Sequence, residues 1–525
     1  MKSELFNLEF NIRTYRIFFL FALVVGSCSP SKKNSDQRAQ NVVSFVILQI
    51  NDFYEIAPLE NGNVGGVARI SSVRKKVLQE NENTLTVLAG DFLSPTLLGT
   101  LKWEGERIKG KQMIESLNAL GLDLATFGNH EFDLDEASLQ QRLNESKFNW
   151  VSTNVSQVKN QKASAFSIQR NNQWVQIPKY KILRIKNEHG TPLRIGIVAP
   201  CLPANRVDYV HYDDIYESTS QALEQIRDSA DFFISLSHLN KEDDLEMAKR
   251  FPQLNLILGG HEHENMLYNV GKTRMTKADA NAKSIYRHNV EYNVSTKKYK
   301  IQSKLIKLDQ HILPDQALEP LVEKWKSIET KIIRQMGFEP DEVLLKLSTP
   351  YDAREQTTRN NQCPFGELIA KSMFAAYPGA DAAIVNSGGI RVDDMLSGSL
   401  SQYDILRSLP YGGAVLLVSI KGSLLRNVIN IGEKNRGSGG YLQRYHLSQN
   451  SNQQWFVGTE ILKDEVWYKL VINDYLLTGK EKGLSFLTRQ NPEIKILSEA
   501  DPKDKNALTN DIRSMIIDYI KKGGR

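Results

Sequence analysis

The sequence predicts an α/β protein of two domains joined by a helix, and three observations carry that reading. Short apolar runs rich in β-branched residues alternate with stretches of helical spacing from residue 42 onward, the pattern of a core with substantial parallel pairing. Five of those runs stop on residues able to bind a metal, and open α/β sheets hold ligands at the C-terminal ends of their strands. A helical repeat over 315–335 then separates this region from a second set of apolar runs. Length agrees, since 525 residues exceed one ordinary domain.

Taken in order, 42–50 is the first strand and ends on Asn51-Asp52-Phe53-Tyr54. Gly65-Gly66 opens a helical stretch over 67–78. The second strand, 84–89, ends on Gly90-Asp91. A helix over 111–120 precedes the third strand, whose tip reads Phe127-Gly-Asn-His-Glu-Phe-Asp133. A further strand is expected at 150–154, while 155–192 is polar and shows no regular pattern. Residues 193–199 form another core strand and 219–228 an amphipathic helix. The runs 231–237 and 254–258 deliver His238 and Gly259-Gly260-His261-Glu262-His263. Alternating residues over 285–308 predict antiparallel strands that close the domain. Leu318, Leu321, Val322, Trp325, Ile328 and Ile332 give the connecting helix its apolar face.

Composition excludes several classes. A hydrophobic fraction of 41% and a charged fraction of 24% are those of a soluble globular chain. A net charge of +5 over 66 basic and 61 acidic residues argues against a nucleic-acid polymer as main partner. Three cysteines make no disulfide framework, and Cys201 and Cys363 are expected as buried free thiols. Cys28 differs. Lys2, Arg13 and Arg16 precede a short apolar run over 17–25 ending in Gly26-Ser27-Cys28, an export signal too short to span a bilayer. Val-Gly-Ser-Cys resembles the lipobox of bacterial lipoproteins, in which this cysteine carries the lipid; the plainer reading is a cleaved signal with a chance cysteine. The polar stretch up to residue 40 suits a tether.

The strand-tip residues Asp52, Asp91, Asn129, His238, His261 and His263 mix carboxylate, amide and imidazole. That donor set suits Mn²⁺, Zn²⁺, Co²⁺ or Mg²⁺ better than thiolate-seeking ions. Any one of them alone is more often a turn former or a satisfied side chain. Five tips in one domain, holding four of the chain's nine histidines, are not a chance set.

Asp52, Gly90-Asp91, Gly128-Asn129-His130-Glu131, Ser237-His238 and Gly259-Gly260-His261-x-His263 resemble the signature of calcineurin-like metallophosphoesterases. Phe132-Asp133, Gly65-Gly66-x-Ala68-Arg69 and the C-terminal motifs narrow the resemblance to bacterial-type 5′-nucleotidases. It implies a four-layer α/β metallophosphoesterase sandwich over 41–312 and a linker helix over 313–341. A C-terminal α/β 5′-nucleotidase domain over 342–525 would follow, with 1–27 as signal peptide and 28–40 as tether. It further implies two divalent ions. Asp91 would bridge them, Asn129, His238 and His261 would complete one, and Asp52 with His263 would hold the other. His130, oriented by Asp133, would hydrogen-bond the phosphate as charge develops.

One position departs from the family pattern: Tyr54 stands where a ligating histidine is usual. Either the phenol ligates weakly, or that ion is held by fewer protein groups and more water, and in both cases more exchangeably. In the second domain, Arg359 ahead of Gln362-Cys-Pro-Phe-Gly-Glu-Leu368, and Arg391 in Asn386-Ser-Gly-Gly-Ile-Arg391, match substrate-binding arginines. A guanidinium fork suits phosphate. Tyr411 and Tyr475 match the two aromatic rings that sandwich a base. Glu481, in Gly479-Lys480-Glu481-Lys482-Gly483, stands near the family's ribose-binding aspartate, though the lysines break its usual glycine-rich motif.

The implied activity is phosphate release from nucleoside 5′-monophosphates, with UDP-sugars or cyclic nucleotides as further substrates, by in-line attack of metal-bound hydroxide. The expected setting is a lipid-anchored protein of the bacterial cell envelope. Two alternatives stand beside it: a hydrolase of a different phosphate or sulfur ester, motivated by Lys480 and Lys482, and a nucleotide-binding lipoprotein with a weakened metal site, motivated by Tyr54.

Overall fold

The computed structural model describes residues 40–60, 62–204, 206–504 and 507–524. The expected signal peptide, most of the tether and Cys28 lie outside the described residues.

Twelve strands build the first domain's two large sheets: β1 (Val42–Ile50), β2 (Thr84–Ala89), β3 (Leu124–Thr126), β4 (Asn149–Trp150), β5 (Tyr180–Lys186), β6 (Pro192–Val198), β7 (Phe232–Leu236), β8 (Leu256–Gly259), β9 (Met266–Val270), β10 (Thr273–Lys277), β11 (Ser284–Asn293) and β12 (Lys298–Lys307). One sheet runs β12-β11-β1-β2-β3-β4, parallel from β1 to β4, with the antiparallel hairpin β11-β12 at one edge. The other runs β5-β6-β7-β8-β10-β9, parallel from β6 to β10 and flanked by antiparallel β5 and β9.

The sheets face each other across a dry core. Phe45, Ile47, Val87 and Leu124 on one side meet Ile195, Phe232, Ile234 and Leu256 on the other. The rings of Phe45 and Phe232 meet edge-to-face at 5.4 Å. Alternate residues of the same strands, among them Leu48, Ile50 and Leu88, point outward under the helices Val67–Glu80 and Lys111–Leu120. The helices Ile215–Ile226 and Lys241–Arg250 cover the second sheet. Helix, sheet, sheet, helix make four layers. Burial on both faces explains why the parallel strands read as unbroken apolar runs.

Three details differ from the sequence reading. The stretch 155–192 holds the strands Val155–Lys159, Lys162–Ser164, Ser167–Arg170, Gln173–Gln176 and all of β5. Two of its hairpin turns place both central residues at positive φ, Asn160-Gln161 and Asn171-Asn172. Turn geometry, not apolar alternation, sets these strands, so the pattern was silent. The helix expected over 219–228 spans Ile215–Ile226, because Asp214 caps it by accepting the N–H groups of Tyr216 and Glu217. The connecting helix is Glu319–Gln335, with Trp325 and Ile333 buried.

The second domain is also α/β. Its five-stranded mixed sheet runs Leu442–Tyr445, Ala382–Asn386, Trp467–Asn473, Val415–Lys421, Ile494–Ser498. The helices Pro364–Ala375 and Gly422–Lys434 pack against it, and the helix Ile512–Lys521 packs on Pro364–Ala375. Its turns lie over the strand tips of the first domain. Arg354 Nη1 meets Glu264 Oε1 at 2.7 Å, Lys283 pairs with Asp394, and Thr100 Oγ1 donates to the Pro410 carbonyl at 3.2 Å.

Candidate active site

Parallel strands end side by side, so their terminal residues meet. Asp52 follows β1, Asp91 follows β2, His238 follows β7, and His261 and His263 follow β8. Ligand-type atoms of Asp52, Asp91 and His238 lie within 4.8 Å of one another, all three residues buried. His238 Nε2 is 3.2 Å from Asp91 Oδ2 and 3.9 Å from Asp52 Oδ1, and His263 Nε2 is 3.3 Å from Asp52 Oδ1. The His261 ring centroid lies 5.5 Å from that of His238. Asn129 is buried at the start of the turn after β3. The six sequence-predicted metal residues therefore belong to one end of the sandwich.

The backbone is bent to bring them there. Asp52, Asp91, His261 and His263 all hold positive φ (49°, 55°, 94° and 61°), an uncommon region for residues with a side chain. Glycine makes room: a Cβ on Gly128 would fall 2.1 Å from Asp91 Oδ1, and one on Gly260 would fall 2.5 Å from the Ala89 carbonyl.

The donor set fits a cation. His238 Nδ1 donates to the Ala89 carbonyl at 2.8 Å, which turns Nε2 toward both carboxylates. Asp52 Oδ1 is buried with no hydrogen-bond partner. The charges in the cluster shift one another. Burial opposes ionisation of Asp91, but His238 and His130 hold its carboxyl well below the usual range. Burial likewise disfavours a charged His238, yet Asp91 and Asp52 push it up to about 10. His261, desolvated and facing His238, falls to about 3. Two buried carboxylates side by side call for positive charge, which a divalent ion would supply.

Three groups that the sequence reading did not single out hold the tips in place. The buried Glu131 carboxylate accepts four backbone N–H groups: Asp91 (2.9 Å) and Gly128 (2.7 Å) on Oε2, Phe92 (2.8 Å) and Leu93 (3.1 Å) on Oε1. Burial and the Asp91 charge press this carboxyl up to about 7 against the pull of those donors. Asn51 Nδ2 donates to Asp52 Oδ2 and to the Ala278 carbonyl. The fully buried Lys277 ammonium meets Asp244 Oδ2 at 2.9 Å, pairs with Glu262, and donates to the carbonyls of Leu239 and Gly260. Of these, Glu131 lies inside a motif the sequence displays. Asn51 stands next to Asp52 in the strand-end motif, but its second partner, the Ala278 carbonyl, is distant in the chain, and Lys277 gives no local signal because its partners come from other segments.

Tyr54 occupies the gap between the two halves of the cluster. Its hydroxyl donates to Asp91 Oδ2 at 3.0 Å and lies 3.3 Å from His263 Nε2. Burial, with the charges of Asp91 and Asp52, raises its pKa well above the ordinary tyrosine value, so it is a neutral phenol here.

His130 sits at the mouth. Its Nδ1 is 2.7 Å from Asp133 Oδ2, and Arg391 Nη2 lies 3.0 Å from its Nε2. Burial works against a charged ring, but Asp133 and Asp91 outweigh it and hold His130 above its ordinary value. Arg359 and Arg391 converge on one acidic residue, Glu355, which sequence reasoning missed. Beyond them, Asn386 Oδ1 accepts from Asn473 Nδ2 at 3.1 Å. Glu481 is raised by burial, opposed by the Lys482 N–H, Asn386 and Arg359. Tyr411 is 57% exposed and Tyr475 40% exposed, two open ring faces on the second domain. Cys201 and Cys363 are both buried and free.

A calcineurin-like phosphoesterase model matches residues 45–265, and a model of the 5′-nucleotidase C-terminal domain matches residues 343–488. Bovine 5′-nucleotidase is 24% identical over 523 residues, covering 88% of this chain and 85% of that protein. Endonuclease YhcR of Bacillus subtilis is 24% identical over 547 residues, covering 97% of this chain, which spans only 43% of that relative's length. Among solved structures, the 5′-nucleotidase precursor of Thermus thermophilus shares the fold, with a TM-score of 0.68, 19% identity, and coverage of 91% of this chain and 96% of the other. The Thermus thermophilus sulfate thiohydrolase SoxB does so with a TM-score of 0.64, 14% identity, and coverage of 91% and 94%. With both domains matched in this order around a buried Asp-Asp-His cluster, the chain belongs to the 5′-nucleotidase family of metal-dependent calcineurin-like phosphoesterases.

Proposed function

We propose that this enzyme releases phosphate from nucleoside 5′-monophosphates, and from related nucleotide esters, in the cleft between its two domains. The observation that carries the reading is the meeting of Arg391, from the second domain, with His130 beside the Asp52–Asp91–His238 cluster of the first. A phosphate at that junction is within reach of both.

Asp52, Asp91, Asn129, His238, His261 and His263 would hold two divalent ions of the Mn, Zn, Co or Mg type. Bound there, such ions supply Lewis acidity toward the phosphoryl oxygens and a nucleophile at neutral pH. The chain's own groups do the rest. Asp133 fixes the His130 ring so that Nε2 faces the phosphate oxygens and donates to them when protonated. Arg359 and Arg391 grip the phosphate. Tyr411 and Tyr475 offer ring faces to the base, and Asn386 with Glu481 reaches the sugar. Stacking of this kind grips every base and selects weakly among them. Closure of the second domain excludes water from the junction. The enzyme would be exported and anchored through lipid on Cys28, a reading that rests on the sequence around that residue; among the described residues no helix is long and apolar enough to cross a membrane.

The test is phosphate release from AMP, UDP-glucose, 2′,3′-cyclic AMP and sugar phosphates with Mn²⁺, for the wild type and Asp91→Ala. Release that Asp91→Ala abolishes supports the reading. Equal rates from the two proteins leave only nucleotide binding.

A further inference from the structure

Glu355 places a negative charge inside the arginine pair. Its Oε1 lies 3.1 Å from Arg391 Nη1 and also pairs with Arg359 Nη2. Its backbone N–H donates to Asp393 Oδ1 at 2.5 Å, and Asp393 in turn abuts His263, so the residue is tied to the strand tips as well. Burial works against ionisation of Glu355, but Arg359 and Arg391 hold its carboxyl at about 2. The guanidiniums are not saturated by it. Nε of Arg359 and Nε of Arg391 are both buried without a hydrogen-bond partner.

Two cations and one anion leave a clamp of net charge +1. Repulsion between a fixed carboxylate and a ligand scales with the ligand's charge. A phosphate monoester near neutral pH is largely a dianion, whereas a diester carries a single charge. Glu355 therefore opposes the monoester about twice as strongly as the diester, in free-energy terms.

We infer that Glu355 is a specificity-determining residue that tunes the two-arginine clamp toward singly charged phosphodiesters of nucleosides, relative to dianionic monoesters and free phosphate. The inference rests on the phosphohydrolase reading of the same site and ranks substrates within it. The same charge hastens departure of the dianionic product.

The experiment compares wild type, Glu355→Gln and Arg359→Gln with AMP and with 2′,3′-cyclic AMP at pH 7.5 in excess Mn²⁺. Calorimetric binding of inorganic phosphate and of dimethyl phosphate accompanies the kinetics. For Glu355→Gln, kcat/KM for AMP should rise about tenfold, the scale of one 1.4 kcal/mol charge interaction. The gain for the cyclic diester should be near the square root of that, about threefold. Phosphate binding should tighten by about tenfold, with dimethyl phosphate moving less. Arg359→Gln should shift the ratio the opposite way, which keeps the inference open to refutation if Glu355→Gln fails to fold. Equal factors for monoester and diester, or tighter binding of dimethyl phosphate alone, would overturn it. Absence of hydrolysis from every ester in the wild type would instead overturn the reading on which it rests, while the two anion titrations would still judge the clamp.

Discussion

Glu131→Gln should loosen the metal end of the sandwich while changing a single atom. Glu131 Oε1 accepts Phe92 and Leu93, and Oε2 accepts Asp91 and Gly128. A glutamine keeps one oxygen and sets an NH₂ group against the other two donors. Two buried N–H groups then lack an acceptor, at about 1–3 kcal/mol each. Relief of a buried charge returns part of this, which leaves a net loss of about 2–4 kcal/mol. The donors at risk include the N–H of Asp91 itself and that of Gly128, where a Cβ would strike the Asp91 carboxylate, so the damage falls on the tips of β2 and β3. We expect kcat to fall by at least about tenfold, with KM moving less, because misplacement affects the reacting geometry more than the nucleotide's hold. Urea unfolding at pH 7.5 and phosphate release with saturating Mn²⁺ provide the readouts. A midpoint unchanged within error, together with activity within a factor of two, would refute the claim that this carboxylate organises the site.

Tyr54→His adds an imidazole where a neutral phenol now sits beside Asp91 and His263. Calorimetry with Mn²⁺ should show about tenfold or more tightening of the ion held beside residue 54, and unchanged affinity would mean that Tyr54 does not limit the metal. Lys277→Met leaves the buried carboxylate of Asp244, and the partner Glu262, without their cation. The expected loss is about 3–5 kcal/mol in urea unfolding, and a loss below about 1 kcal/mol would count against a structural role for the ammonium. Stability should also depend on pH through the junction of domains. Burial and the neighbouring Glu55 push Glu329 up to about 8, and burial pushes Glu55 up to about 7. The folded protein holds these protons to higher pH than the unfolded chain does, so stability falls as pH rises from about 5 through 8. Unfolding midpoints at pH 5.5 and 8.5 should show that fall in the wild type and a smaller one in Glu329→Gln. Parallel pH profiles in the two proteins would remove Glu329 as the cause.

The α/β class, the apolar strands of the sandwich and the strand-tip residues are all legible in the order of amino acids. Strands buried on both faces must be apolar along their length, and a polar residue directly after such a run stands out. Asp52, Asp91 and His238 were legible for that reason; Asp52 and Asp91 meet because adjacent parallel strands end at the same edge, and His238 joins them because the second sheet packs face to face on the first with its tip at the same end. The hairpins of 155–192 were not legible, because their register is set by positive-φ turns at polar residues. Which groups face each other across the chain emerges only with packing. Glu355 lies four residues before Arg359, a spacing that allows a local ion pair, but nothing local shows that Arg391, 36 residues on, closes on it as well. Lys277 needed Asp244 and Glu262 from other segments to become a buried cation. In the sequence Tyr54 reads as a phenol standing where a ligating histidine is usual, and in the fold it is a hydrogen-bond donor to Asp91. Charge compensation in a buried site depends on distances between residues remote in sequence, and those distances exist only once the sheets and domains have packed.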